Sequence, residues 1–204
     1  GPRSIYIADL DSDGDFDVLS ASANDNKVAW YENTNGLGTF GPQQVLSNGS
    51  NYAITVTAAD IDGDGDLDVI SGSHNDNVIS LFKNTDGAGT FGPRVIVSSL
   101  TIQPRSVFAG DLDADGDLDL VSASDADDKI AWYENTDGSG TFGPQIVVSL
   151  TSDAPENISL ADLDGDGDLD IAAASSADDK VAWYENSDFT APAAPQSLAA
   201  EAGN

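Results

Sequence analysis

Asp9-Leu-Asp-Ser-Asp-Gly-Asp-Phe-Asp17 is the first of four copies of one acidic nonapeptide, and its reading decides the fold. The others are Asp60-Ile-Asp-Gly-Asp-Gly-Asp-Leu-Asp68, Asp111-Leu-Asp-Ala-Asp-Gly-Asp-Leu-Asp119 and Asp162-Leu-Asp-Gly-Asp-Gly-Asp-Leu-Asp170, each starting 51 residues after the one before. Five carboxylates within nine residues repel one another, so ordering them without a counterion is costly. A hard divalent cation removes that cost. Aspartates at positions 1, 3, 5 and 9 supply closely spaced oxygens, and glycine at position 6 permits the tight turn between them.

In the first copy Asp9, Asp11 and Asp13 offer side-chain oxygens, Asp15 its backbone carbonyl, and Asp17 a closing carboxylate able to bind through both oxygens. The same roles fall to Asp60, Asp62, Asp64, Asp66 and Asp68, to Asp111, Asp113, Asp115, Asp117 and Asp119, and to Asp162, Asp164, Asp166, Asp168 and Asp170. A flexible all-oxygen loop suits Ca2+, about four per chain, better than Mg2+, which prefers fewer protein ligands and retained water. Zinc is disfavoured, because there is no cysteine and His74 is the only histidine. One such run alone reads equally well as a solvated acidic face; four in register do not. They are not EF-hands, since position 12 is Ser20, Ser71, Ser122 or Ala173 rather than glutamate.

The chain has 204 residues, with 36 acids against 7 bases and a formal charge of -29. Twenty of those acids lie in the nonamers, and the excess outside them still argues against nucleic acid or an anionic membrane as partner, since no basic patch could neutralise phosphates. Calcium loops of modest affinity point to an extracellular or cell-surface location, where calcium keeps them filled. No apolar run is long enough to span a membrane. Gly1-Pro2 reads as a scar or a cut within a repeat, so a targeting segment ahead of it is compatible with the chain.

Strand-like runs flank every loop. Ser4-Ile-Tyr-Ile-Ala8 precedes the first and Val18-Leu-Ser-Ala-Ser22 follows it, so the loop joins two neighbouring strands as a long hairpin connection. The third strand, Val28-Ala-Trp-Tyr-Glu-Asn33, recurs as Ile79-Ser-Leu-Phe-Lys-Asn84, Ile130-Ala-Trp-Tyr-Glu-Asn135 and Val181-Ala-Trp-Tyr-Glu-Asn186. Its alternation sends Val28 and Trp30 to one face and Ala29 and Tyr31 to the other, so each sheet is covered on both sides. Trp30, Leu81, Trp132 and Trp183 are the expected packing anchors. A glycine turn and Phe40-Gly-Pro42 lead to an outer strand, with proline confining that segment to a strand start or sheet edge. Four short antiparallel strands per unit, radially repeated, predict an all-β fold, a beta-propeller of four-stranded antiparallel blades at about 3–50, 51–101, 102–152 and 153–187. The last blade lacks an obvious outer strand, leaving 188–204 as a linker.

All four units resemble the FG-GAP repeat of integrin alpha subunits and its bacterial relatives, the VCBS repeats. Asp9, Asp11, Asp13, Gly14 and Asp17, with their counterparts, match the family's DxDxDGxxD loop, and Phe40-Gly41, Phe91-Gly92 and Phe142-Gly143 match its Phe-Gly element. The resemblance implies a propeller with calcium between the first two strands of each blade. Family members commonly have about seven blades, which leaves three outcomes for this chain. It forms a four-bladed ring, half of a two-chain ring, or a fragment of a larger propeller; the reading favours a fragment that self-associates or awaits missing blades. The tail from Ala191-Pro192 to Asn204 is similar to a linker followed by the first residues of a fibronectin type III domain.

The functional expectation is a non-catalytic, calcium-stabilised binding or adhesion module of a secreted or surface protein, with a glycan or an extracellular protein as ligand. Some propellers of this family are lectins. The alternative is a structural spacer or accessory domain of a secreted polysaccharide-degrading enzyme. Candidate ligand contacts lie in the turn between the second and third strands, at Asn26, His74, Asn77, Asp128 and Asp179, although such a turn is more often only solvated. Catalysis is not expected, because nearly every acid recurs in each unit whereas an active site is asymmetric. His74 has no serine or cysteine partner placed by a motif. Asn48 and Asn157 head N-glycosylation sequons.

Overall fold

The computed structural model describes residues 1–186 and the backbone of Gln196–Leu198. Among the described residues, sixteen strands form four separate antiparallel sheets in tandem. The first contains β1 (Pro2–Ala8), β2 (Asp17–Ser22), β3 (Lys27–Tyr31) and β4 (Gln44–Ser47) in that order. The second holds β5 (Ala53–Ala59), β6 (Asp68–Ser73), β7 (Val78–Phe82) and β8 (Val95–Ser98), and the third β9 (Pro104–Gly110), β10 (Asp119–Ser124), β11 (Lys129–Tyr133) and β12 (Ile146–Ser149). The fourth holds β13 (Pro155–Ala161), β14 (Asp170–Ser175), β15 (Lys180–Tyr184) and β16 (Gln196–Leu198).

The fourth sheet corrects one expectation. Gln196–Leu198 supplies an outer strand that no sequence pattern marks, pairing Leu198 with Val181, Ser197 with Ala182 and Gln196 with Trp183. The outer edge of β15 carries backbone donors and acceptors that an extended segment satisfies whatever its side chains, so the Phe-Gly-Pro turn of the other repeats is not required. The remainder of the expected linker lies outside the described residues.

The apolar core lies between sheets. Leu10, Leu19, Val28 and Trp30 on the first sheet pack against Val56, Ala58, Val69 and Phe82 on the second. Ile61, Ile70, Ile79 and Leu81 meet Val107, Leu120 and Tyr133 at the next junction. Leu112, Val121, Ile130 and Trp132 meet Ile158, Ile171 and Tyr184 at the third. Period-two alternation produces this layering: Trp30 faces the following sheet, while Phe82, Tyr133 and Tyr184 face the preceding one. Burial of each large side chain contributes about 1.5–3 kcal/mol. Trp30, Leu81 and Trp132 are buried as expected, whereas Trp183 is only half-buried.

The inner strands β1, β5, β9 and β13 run side by side in chain order. The row is not closed into a ring: β1 and β13 form no packed pair among the described residues. Asparagines tie successive sheets together. Asn84 Nδ2 donates to the carbonyl of Leu10 at 2.9 Å, Asn135 Nδ2 to that of Ile61 at 2.9 Å, and Asn186 Nδ2 to that of Leu112 at 2.8 Å.

Candidate metal centres

Each acidic nonamer is the connection between the first two strands of its sheet, and its two ends are held as partners: Ala8 pairs with Asp17, Ala59 with Asp68, Gly110 with Asp119 and Ala161 with Asp170. The chain turns inside the loop through two left-handed residues. Position 6 is glycine throughout, with φ of 93° at Gly14 and 106° at Gly167. Position 4 is the second, and here Ser12 and Ala114 adopt φ of 58° and 59°, a conformation that the sequence signals only where Gly63 and Gly165 stand.

Within this turn carboxylates fold back on the backbone. Asp9 accepts from the amides of Asp13 (3.2 Å) and Gly14 (3.0 Å), and Asp13 accepts from that of Asp15 (2.9 Å). Asp60 and Asp111 accept from Gly65 and Gly116 in the same way, and Asp64 and Asp115 from Asp66 and Asp117. Side-chain oxygens consequently converge. In the first three repeats the triads are Asp9, Asp11, Asp13; Asp60, Asp62, Asp64; and Asp111, Asp113, Asp115, with one oxygen of each residue within 4.8 Å of the others. In the fourth the triad is Asp162, Asp164 and Asp170. Each of these clusters could hold a divalent cation.

The other predicted ligands have different placements. Asp17, Asp68, Asp119 and Asp170 are buried, and each holds two backbone amides. Asp17 accepts from Leu10 (3.0 Å) and Asn33 (2.8 Å), and Asp119 from Leu112 (3.1 Å) and Asn135 (2.7 Å), so the closing aspartate locks the loop to the third strand. Asp68 and Asp170 repeat the pattern. Only Asp170 also enters its triad. The side chains of Asp15, Asp66 and Asp117 lie against Gly36, Gly87 and Gly138 in the turn after the third strand, where any Cβ would collide with the carboxylate. Asp166 and Asp168 stand outside the fourth triad, with Asp166 accepting from the amide of Asp168 at 3.2 Å.

Two observations show that the clusters fit a hard cation. Buried Oδ1 atoms of Asp11, Asp60, Asp62, Asp111 and Asp113 in the first three triads have no hydrogen-bond donor, an expensive arrangement for carboxylates unless a positive charge is shared among them. Four acids of these loops also hold their protons more tightly than usual. Burial, and then the charges of Asp17 and Asp13, push Asp11 up to about 6; burial, countered by the amides they bind, raises Asp68 and Asp119 to about 6. Burial followed by Asp166 raises Asp168 to about 6. The donor set is oxygen alone, with no imidazole or thiolate, which is the chemistry of calcium or magnesium sites.

One loop carries its own cation. Lys83 stands where the other repeats have Glu32, Glu134 and Glu185, and its Nζ lies 3.1 Å from Asp62 Oδ2 while donating to the carbonyl of Ser139. The sequence showed the exchange without its meaning, since the third strand and the loop meet only in the folded sheet.

The residues expected to contact a ligand are partly absorbed by structure. Asn26, Asn77 and Asp128 have left-handed backbones and accept, through Oδ1, the amides of Tyr52 (3.0 Å), Gln103 (2.9 Å) and Ala154 (3.0 Å), which start the next repeat. Asp179 shares the backbone geometry, with φ of 54°. His74 is different. Its ring lies 5.3 Å from that of Tyr52, its Nδ1 is 3.0 Å from Asn75 Oδ1, and Arg3 both covers the Tyr52 ring and donates to its hydroxyl at 2.7 Å. Tyr52 was not anticipated, because no repeated motif marks it.

Tandem four-stranded antiparallel sheets, each with a carboxylate-lined loop at its first hairpin, define an all-β repeat protein whose acidic clusters could coordinate a divalent cation. The chain belongs to the family of FG-GAP-like repeats, whose profile matches residues 9–71, 60–122 and 111–173. No curated protein is significantly similar in sequence. Among solved structures, an Agrocybe aegerita lectin that recognises non-reducing terminal N-acetylglucosamine is similar, with a TM-score of 0.65 and 22% identity over 95% of this chain and 51% of the lectin. The V. cholerae biofilm matrix protein Bap1 gives 0.59 and 19%, over 95% of this chain and 28% of its own. The exotype rhamnogalacturonan lyase YesX gives 0.51 and 18%, over 85% and 39%. At these identities the likeness is one of fold, and the chain spans about half or less of each neighbour.

Proposed function

We propose that this chain is a calcium-stabilised, non-catalytic binding module of a secreted or surface protein, its four sheets forming an arc of a β-propeller. The observation that carries the reading is a carboxylate triad in each of the four loops, with buried, donorless oxygens within the triads of the first three. Asp9, Asp11 and Asp13, and their counterparts, would hold the ion. Bound calcium supplies positive charge that cancels the repulsion among these acids. The backbone bonds of Asp9 and Asp13 hold the loop open to it, and the clamps of Asp17, Asp68, Asp119 and Asp170 set the strands that flank it.

The ligand reading rests on asymmetry. Arg3, Tyr52, His74 and Asn75 make an aromatic and hydrogen-bonding cluster that, among the described residues, occurs at one junction only, and an aromatic ring beside polar groups suits a sugar ring. The lectin's fold supports a glycan as the ligand class. A structural spacer within a polysaccharide-acting enzyme is the second reading, favoured by the fold shared with the lyase.

Metal counting and thermal melting test the first part: calcium should bind at about four per chain and raise Tm, and chelator should reverse the gain. Equal melting with calcium and with chelator at matched ionic strength would overturn it. A glycan array tests the second part. Dose-dependent, sugar-competed binding lost in Tyr52→Ala supports a lectin, and a blank array favours the spacer.

A further inference from the structure

The three junctions between sheets are copies of one interface, and among the described residues the two ends of the row display its uncovered halves. On the rear face, Leu10, Ile61 and Leu112 are each 1% exposed beneath the following sheet, whereas the equivalent Leu163 is 47% exposed. Val181 is likewise exposed where Val28, Ile79 and Ile130 are sealed. On the front face, Val56, Val107 and Ile158 are 4%, 2% and 2% exposed, whereas the equivalent Ile5 is 63% exposed, with Ile7 and Phe40 uncovered beside it.

Specific contacts repeat as well. Phe91 of the second sheet meets Trp30 of the first edge-on, with ring centroids 6.3 Å apart, and Phe142 packs in the next junction. Phe40 and the half-buried Trp183 are the same pair, one at each end. Each internal junction also uses a carbonyl, of Leu10, Ile61 or Leu112, for the asparagine of the next sheet. Asn33, with no sheet ahead of it among the described residues, keeps only the bond to its own loop, Nδ2 donating to the carbonyl of Phe16 at 3.3 Å as Asn135 and Asn186 do to Leu118 and Leu169. A cavity of about 500 Å³, lined by Ile5, Ser22, Asp25 and Tyr31, lies on this front face. At the last junction the equivalent tyrosine, Tyr184, bonds Ser152 of the preceding linker.

We propose that the front face of the first sheet docks on the rear face of the fourth sheet of a second copy of this chain, continuing the repeat head to tail. The partner is another copy because the complementary surface is already present on this chain, residue for residue. Phe40 of one copy would cover Trp183 of the other, and Asn33 would turn to the carbonyl of Leu163. The contact is heterologous, so it closes into a ring of copies or extends as a chain. It depends on the junction geometry alone and is independent of the calcium and ligand readings.

Sedimentation of the 204-residue chain in calcium-containing buffer at about 0.15 M salt, where repulsion between acidic copies is screened, tests the proposal. The wild type should show a mass of two chains or more. Ile5→Asp with Ile7→Asp blocks the front, and Leu163→Asp with Val181→Asp blocks the rear. Each variant alone should be monomeric, yet the two mixed should form a 1:1 dimer and stop there. All four positions are solvent-exposed, so folding should survive, as circular dichroism would verify. As a second measurement, Ile5→Cys and Asn157→Cys chains, mixed and oxidised, should join in a disulfide heterodimer, since the corresponding Ser4 Oγ and Val56 N lie 3.3 Å apart inside the chain. A monomeric wild type at hundreds of micromolar, or association that survives in both blocked variants, would overturn the proposal.

Discussion

Asn84 reaches back 74 residues to the carbonyl of Leu10, 2.9 Å away, while its own amide donates to Asp68 at 2.8 Å. One asparagine thus joins the end of a third strand, its acidic loop and the loop of the preceding sheet. The same device recurs at Asn135 and Asn186, so the loops that gather negative charge are also the places where sheets are fastened together.

Asn135→Ala should weaken the junction between the second and third sheets. Its Nδ2 serves the carbonyls of Ile61 and Leu118, and a buried acceptor stripped of its donor costs about 1–3 kcal/mol. Asn33→Ala removes no bond between sheets and should cost less. Urea denaturation of the two variants side by side measures the difference.

Asp119→Ala and Asp115→Ala should separate fastening from metal binding. Asp119 holds the amides of Leu112 and Asn135, so its loss should cost about 2–5 kcal/mol whether or not calcium is present. Asp115 is exposed and sits in a triad, so its loss should lower Tm mainly in calcium and leave the other three sites filled. Melting curves in calcium and in chelator distinguish them. Equal calcium dependence of both losses would contradict the division.

Lys83→Glu should convert the second loop to the form of the other three. Without calcium the variant should lose up to about 1 kcal/mol, since a partly exposed ion pair is replaced by repulsion against Asp62. That loss corresponds to about 2–4 °C in Tm. Calcium should return more stability to the variant than to the wild type. Calcium titration followed by Tm tests this, and an unchanged calcium increment would show that Lys83 does not act on the loop.

The pH response should reverse on metal binding. Asp11, Asp68, Asp119 and Asp168 are raised from 3.8 to about 6, so protonation favours the metal-free folded state. That stability is complete below about pH 4 and lost as pH rises through about 6. Chelated protein should therefore melt higher at pH 5 than at pH 7.5. Calcium-loaded protein should melt lower at pH 5, because protons compete with the ion. Differential scanning fluorimetry of both forms across this range should give crossing curves.

Much of the architecture was legible from local pattern. The 51-residue period, the alternation of Val28, Trp30 and Tyr31, and the Phe-Gly-Pro turn predict sheets, strand order and two-sided burial. Position 4 of the loop was not legible, because Ser12 and Ala114 take a left-handed backbone that their side chains do not announce. Nor was β16, since edge pairing draws on backbone groups common to every residue.

By itself the sequence determined four sheets, their antiparallel order and the placement of an acidic loop at each first hairpin, because periodicity and charge spacing act over a few residues. Only the tertiary structure decided which aspartates converge and which fasten strands, that Lys83 lies beside Asp62, and that Ile5 and Leu163 stand uncovered. The fastening bonds reach 16 positions along the chain, Lys83 meets Asp62 only once the sheet has formed, and packing between sheets decides which faces are covered.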